Sequence, residues 1–139
     1  MANDSSLRSV SLSRADDGAF TATNVRGGTV TVGSKDTDFT PVELLLAALG
    51  GCETVTIEPL TAKRGHRLAK LAVTVEAEKV APTKLGTITV TYDVEFPPDD
   101  DEAPQVFTDV AHRVHENHCT VGRALREVTP LEQVLPELT

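Results

Sequence analysis

The chain opens on three short runs in which apolar and polar residues alternate, Leu7 to Ser13, Ala19 to Asn24 and Thr29 to Gly33. A period of two marks a half-buried strand. Asp17-Gly18 and Gly27-Gly28 separate the runs as hairpin turns, so an antiparallel meander is expected over residues 7–33. The period then changes. Thr40-Pro41-Val42-Glu43 supplies a cap residue, a proline suited to the first helical position and a glutamate placed to close a capping box onto Thr40. A helical segment is expected over residues 40–64, ended by Gly65 and kinked or divided at Pro59. Two long alternating runs fill residues 68–96, joined by a turn from Pro82 to Gly86. Leu71, Val73, Val75 and Ala77 share one face of the first, and Ile88, Val90, Tyr92, Val94 and Phe96 share one face of the second. Beyond the acidic break PPDDDE, residues 102–126 read as a helix from Glu102 to Asn117, with Val106, Val110 and Val114 inward, and a shorter helical piece opening at Cys119. The tail TPLEQVLPELT suits a short edge strand, limited by Pro130 and Pro136.

This order predicts the α+β class, with antiparallel sheets packed on central helices, and the 139 residues suit a single domain spanning 1–139 with one core. Composition narrows the function. Apolar residues make up 40% and charged residues 24%, an ordinary globular balance, but aromatics reach only 4%. A small core poor in large rings gains from assembly, which points toward a dimer. The net charge of −8, without any Lys/Arg cluster longer than two residues, excludes a counterion-displacing basic stripe and argues against nucleic acid and anionic membranes as partners. No apolar stretch is expected to reach the roughly 18 residues of a membrane span. The opening MANDSSLRSVSLSR lacks the charged-then-apolar pattern of a secretory signal, so the cytoplasm is the expected compartment. There, two cysteines are read as catalytic, redox-active or inert before they are read as a staple.

The most apolar segment, PVELLLAALGGCETVTIEPL, holds Cys52 behind two glycines. In a helix from Pro41, the residues Leu45, Ala48, Cys52 and Val55 form one stripe, which predicts burial, and a buried free cysteine is commonly an inert small hydrophobe. The glycines argue for more, since each costs about 1 kcal/mol in a helix interior relative to alanine. Either they admit a close neighbour, such as a partner helix or the Cys119 segment, or they open the hydrogen-bond ladder and aim free N–H groups at the sulfur, which lowers a thiol pKa. Glu53 opposes that second effect only if it points the same way, and adjacent helical residues diverge by about 100°.

Cys119 stands at the break between two helical pieces, in HENHCTVGRAL. The break frees the N–H groups of Thr120, Val121 or Gly122 to face the sulfur, and Arg123 adds positive charge one turn on. His112, His115 and His118 surround it in sequence, with His115 and Cys119 at ligand spacing. The four-coordinate zinc such a pair suggests needs further ligands that no second cluster provides, so no metal is expected.

Taken together, PVELLLAALGGC and the later HCTVGRAL resemble the OsmC/Ohr family of thiol-dependent peroxidases, and the element order agrees from about Ser9 to Val128. The resemblance implies an intertwined homodimer with two active sites at the interface. It implies that Cys52 is the peroxidatic thiolate, that Cys119 resolves its sulfenic acid as a disulfide, and that an external thiol reductant, such as a lipoyl-type dithiol, reopens it. It further implies an arginine from the N-terminal region beside the thiolate, held by a glutamate on the central helix. Arg26, in a glycine-rich turn able to swing, is the candidate, with Arg14 in reserve. Well-characterised branches carry the glutamate directly after the proline, where this chain has Val42; Glu43 lies one position on, open to either role, catalytic or helix cap. The substrate implied is a small organic hydroperoxide, and the mechanism implied needs no metal, flavin, haem or other cofactor. The alternative is a protein of the same build that senses redox state or binds an apolar ligand with little turnover.

Overall fold

The computed structural model describes residues 6–15 and 18–137. Asp17 of the first expected turn lies outside them. Two compact units divide the chain, Met1–Leu45 and Leu46–Thr139.

The first unit contains the expected meander. Strands β1 (Val10–Arg14), β2 (Phe20–Asn24) and β3 (Thr29–Val32) pair antiparallel in the order β1-β2-β3. The register sets Leu12 opposite Ala22 and Ala22 opposite Val30. At the β2–β3 turn, the Asn24 side-chain oxygen accepts from the N–H groups of Arg26 and Gly28, each at 2.9 Å, while Gly27 takes φ 93°. This turn is tied down by Asn24, not loose as its two glycines suggest. Much of the sheet's apolar surface stays open: Val10, Leu12 and Phe20 are all exposed.

Helix α1 (Pro41–Lys63) begins in the first unit and continues into the second. Its start is the capping box anticipated from sequence: the Thr40 N–H donates to Glu43 Oε1 at 2.8 Å, and the Glu43 N–H donates to Thr40 Oγ1 at 3.3 Å. Pro59 does not divide the helix, which runs unbroken to Lys63. The carbonyl that proline leaves without a donor is that of Val55, whose exposure of 71% lets water serve it. Nor do the glycines open the ladder. At 23 residues, with a mean hydropathy of 1.2 over its most apolar window, α1 does have the length and composition of a membrane span, contrary to expectation, because its few charged residues are spread thinly along it. Here it is a helix packed on a sheet.

That packing corrects the expected phase. The buried residues of α1 are Leu49, Glu53, Ile57 and Thr61, a stripe at steps of four, together with Gly50 beside it. Ala48 and Val55 face out, and Cys52 is half-buried at the stripe's edge. The neighbour that Gly50 admits is a strand of its own chain: a Cβ there would stand 2.8 Å from Val75 Cγ2 and 3.2 Å from Val73 Cγ2, whereas one at Gly51 meets nothing within 4 Å. The two substitutions therefore diverge. Gly50→Ala is expected to lower stability by about 1–2 kcal/mol despite its better helix propensity, and Gly51→Ala to raise it by up to about 1 kcal/mol. Urea midpoints moving in opposite directions are the check.

Strands β4 (Lys70–Ala81) and β5 (Lys84–Glu95) form the long hairpin, with Leu71 opposite Val94, Val73 opposite Tyr92, Val75 opposite Val90 and Ala77 opposite Ile88. The alternation read from sequence holds. The turn is tighter than expected, at Pro82-Thr83, because register shifts at Lys79 and Ala81 absorb the extra residues inside the ladder. Helix α2 (Ala103–Arg113) starts where Asp100 Oδ1 accepts from the N–H groups of Glu102 and Ala103. The other Asp100 oxygen takes His66 Nδ1 at 2.6 Å, joining the loop after α1 to the loop before α2 and holding the Asp100 carboxyl below its ordinary pKa. The predicted helix to Asn117 stops short: Val114–His118 is a π-turn, followed by α3 (Thr120–Arg126). Val110 and Val114 are buried as expected. Beyond Arg126 the described residues form no strand, and Val128, Leu131 and Val134 of the tail are exposed.

Candidate functional site

The site lies in the second unit and grows from the stripe of α1. Leu49, Ile57, Val110, Val114 and Cys119 form its buried cluster, and Cys52, Val75, Val90 and Tyr92 pack against it. The two cysteines, widely separated in sequence, thus share one core. Both are free thiols. Cys52 is partly accessible, whereas Cys119 is wholly buried.

The π-turn and the N-terminus of α3 place Cys119. As the cap residue of α3 it has extended backbone (φ −93°, ψ 100°), and its sulfur accepts from the Gly122 N–H at 3.3 Å. The fit is close: a Cβ at residue 122 would lie 3.2 Å from that sulfur, so a larger residue there would make the thiol shift by a few tenths of an ångström. The break in the helix thus gives the thiol an N–H donor, as sequence suggested. Burial still wins: desolvation pushes the Cys119 thiol up to about 11, against the lowering effect of the Gly122 N–H. A hydrogen bond to Cys52, the Cys52 charge and the Glu53 charge push in the same direction as burial. Arg123 does not serve this thiol; its guanidinium pairs with Glu127, with Nη2 3.2 Å from the carboxylate.

Sequence reasoning missed the residues that complete the site. Glu53, next to Cys52, is fully buried. The Tyr92 hydroxyl donates to its Oε1, and His115 Nδ1, carrying the proton, donates to Oε2 at 3.0 Å. Burial and the adjacent carboxylate raise the Tyr92 phenol above its ordinary pKa. Three signals were present: a glutamate amid an apolar helix, the only tyrosine of the chain on an inward strand position, and a histidine one turn ahead of a cysteine. None of them identifies its partner. Of the metal-ligand candidates, His115 is engaged by Glu53, His112 and His118 are exposed, and the described residues hold no group of three or more ligating side chains. The remaining predicted residues belong to the first unit: Arg14 ends β1, Arg26 is exposed on the tied turn, and Glu43 closes the capping box.

The raised thiol has a consequence for stability. Between the ordinary thiol value of 9.0 and about 11 the unfolded chain has released a proton that folded Cys119 still holds. The native state then binds more protons, so stability falls as pH rises through this window, by at most about 1.4 kcal/mol per pH unit from this group. Urea unfolding of the reduced protein at successive pH values above 9 is expected to show this decline, and Cys119→Ala to make it shallower.

On one wall of this unit, Leu49, Ile88, Val90, Tyr92, Phe107 and His115 line an open cavity of about 460 Å³. Tyr92 and Phe107 meet edge to face there, with ring centroids 5.8 Å apart.

Comparison with known proteins adds the family. No curated protein matches the sequence. Among solved structures, the fold is similar to a hypothetical protein from Aquifex aeolicus (TM-score 0.73, 17% identity, covering 90% of this chain and 91% of that one). It is also similar to an OsmC-like protein from Mycoplasma pneumoniae (TM-score 0.69, 19% identity, 90% of each chain). An OsmC-like protein of unknown function from Vibrio cholerae resembles it as well (TM-score 0.69, 17% identity, covering 86% of this chain and 94% of that one). Identities this low establish the fold alone. The sequence itself matches the family model for OsmC-like proteins over residues 33–133, a span that includes both cysteines and helix α1, and the chain belongs to the OsmC-like family.

Proposed function

We propose that this protein is a two-cysteine peroxidase that reduces organic hydroperoxides. The observation that carries the reading is the placement of a partly accessible free thiol, Cys52, and a buried, protonated one, Cys119, in the same packed core. The Cys52 thiolate attacks the outer oxygen of the hydroperoxide, the O–O bond breaks, and the alcohol leaves after taking a proton. Cys52 retains the oxygen as a sulfenic acid. The Cys119 sulfur then attacks the Cys52 sulfur, and the S–O bond breaks. The oxygen departs as water with the Cys119 proton, leaving a disulfide that an external dithiol of the lipoyl kind reduces by exchange. In this reading Arg26 provides the cation beside the thiolate and Glu43 Oε2 steadies it, while Oε1 stays on the Thr40 N–H. The protein works as a homodimer in the cytoplasm; exposed Val10, Leu12, Phe20 and Val55 support a second copy as their cover.

Cys119→Ser tests the sequence of steps. One equivalent of hydroperoxide is expected to leave a sulfenic acid that dimedone labels, with turnover by dithiol reductant falling at least about tenfold, since the resolving attack is lost. Unchanged cycling without dimedone labelling ends the two-cysteine scheme. The apolar cavity favours a second reading, an apolar-ligand-binding redox sensor. Such a protein oxidises once but does not cycle with excess dithiol, so steady-state turnover separates the two.

A further inference from the structure

A carboxylate buried in an apolar core is costly unless it is paired, and a leucine at the same place would stabilise the helix packing more cheaply. Glu53 is nonetheless fully buried, on the residue that follows Cys52. Both of its oxygens are used, and by different elements: Oε1 takes the Tyr92 hydroxyl of β5, and Oε2 takes His115 Nδ1 of the π-turn that leads into Cys119. The same turn is fastened a second time, because Arg126 Nη2 donates to the His115 carbonyl oxygen at 2.9 Å. Apolar side chains packed on one another tolerate a slide of the helix along the sheet; two directional hydrogen bonds to one carboxylate do not. We propose that Glu53 is a positioning residue that ties the Cys52 helix to the Cys119 turn and so keeps the two sulfurs, free and not at disulfide distance in this structure, in the register from which a disulfide can close once Cys52 is oxidised.

The proposal rests on the two-thiol cycle and assigns its second step a determinant outside the thiols. In that step the Cys119 sulfur displaces the oxygen from the Cys52 sulfenic acid, forming S–S and releasing water. Bond formation succeeds only over a narrow range of sulfur geometry, so a small loss of register shows there before it shows in attack on a freely diffusing hydroperoxide. Burial chiefly favours the neutral Cys119 thiol, and the nearby Glu53 charge acts in the same direction.

The test measures the Cys52–Cys119 disulfide of the whole protein in dithiothreitol redox buffers, in wild type, Glu53→Ala and Glu53→Gln. Glu53→Ala is expected to lower the disulfide equilibrium constant about tenfold, equivalent to roughly 30 mV, and glutamine, which still fills the site and hydrogen-bonds, to recover most of it. In single turnovers with cumene hydroperoxide, the ratio of the disulfide-forming rate to the sulfenic-acid-forming rate is expected to fall about tenfold in the alanine variant, since a lost bond to a charged group is of that order. A potential and a rate ratio both within twofold of wild type overturn the proposal, as does failure of the wild type to form the disulfide in the redox buffer. Should the alanine variant not fold, Tyr92→Phe removes one of the two bonds and keeps the ring; a potential unchanged there overturns the proposal equally. If cumene hydroperoxide gives no sulfenic acid in the wild type, the peroxidase reading fails, and the redox-buffer measurement still decides the role of Glu53.

Discussion

Cys52→Ser is expected to abolish hydroperoxide turnover with every thiol reductant, a loss of at least about 1,000-fold, equivalent to some 4 kcal/mol of barrier. A serine hydroxyl is not ionised near neutral pH and cannot hold the transferred oxygen as a reducible sulfur acid, so neither attack nor resolution has a substitute group. The change is close to isosteric at a half-buried position, and thermal unfolding is expected to move by less than about 1 kcal/mol. Loss of turnover is therefore separable from loss of fold. The measurement is hydroperoxide consumption against dithiothreitol and a lipoyl-type dithiol, with circular dichroism as the control for folding. More than a tenth of the wild-type rate surviving would place the chemistry elsewhere. Cys119→Ser provides the contrast: it keeps the first oxidation and loses the cycle, whereas Cys52→Ser loses both.

What could be read from sequence depended on how local the physics is. The Thr40–Glu43 capping box formed as expected because its donors and acceptors lie within one turn of backbone. The hairpin alternation held because a strand's two faces are set by a period that a single sheet enforces. Cys119 found an N–H donor because a helix break exposes such groups whatever surrounds it. The Glu53 bonds were out of reach, since they join residues 39 and 62 positions apart, and nothing local to Glu53 names Tyr92 or His115. Gly50 had a legible cost and an illegible reason, because the Val73 and Val75 methyl groups it admits are brought there only by the packing of β4 on α1. Arg26 and Glu43 show the same limit from the other side. Their local settings, a tied turn and a helix cap, are plain, and their catalytic assignments rest on family resemblance.

The phase of α1 is the most instructive miss, and it sets the second large prediction. Apolar residues surround this helix on every side, so no polar face fixes its rotation, and the stripe it buries contains Glu53 and Thr61, which a hydrophobicity argument turns outward. Each is made acceptable by a partner: Glu53 by Tyr92 and His115, and Thr61 by the Ile57 carbonyl, which its hydroxyl reaches at 2.8 Å. Ile57 lies between them with no exposure at all. Ile57→Ala is expected to cost about 3 kcal/mol, the lost transfer energy plus a cavity that the rigid β4–β5 hairpin cannot fill, and to lower Tm by roughly 10 °C. Val55→Ala, two residues away at 71% exposure, is expected to cost under about 0.5 kcal/mol in dilute protein. Protein concentration is part of the experiment: a cost for Val55→Ala that grows with concentration marks that face as buried between copies. If in dilute solution Val55→Ala costs as much as Ile57→Ala, then α1 is turned about its axis, Glu53 loses its partners, and the approach of Cys52 to Cys119 on which the proposed chemistry depends goes with them.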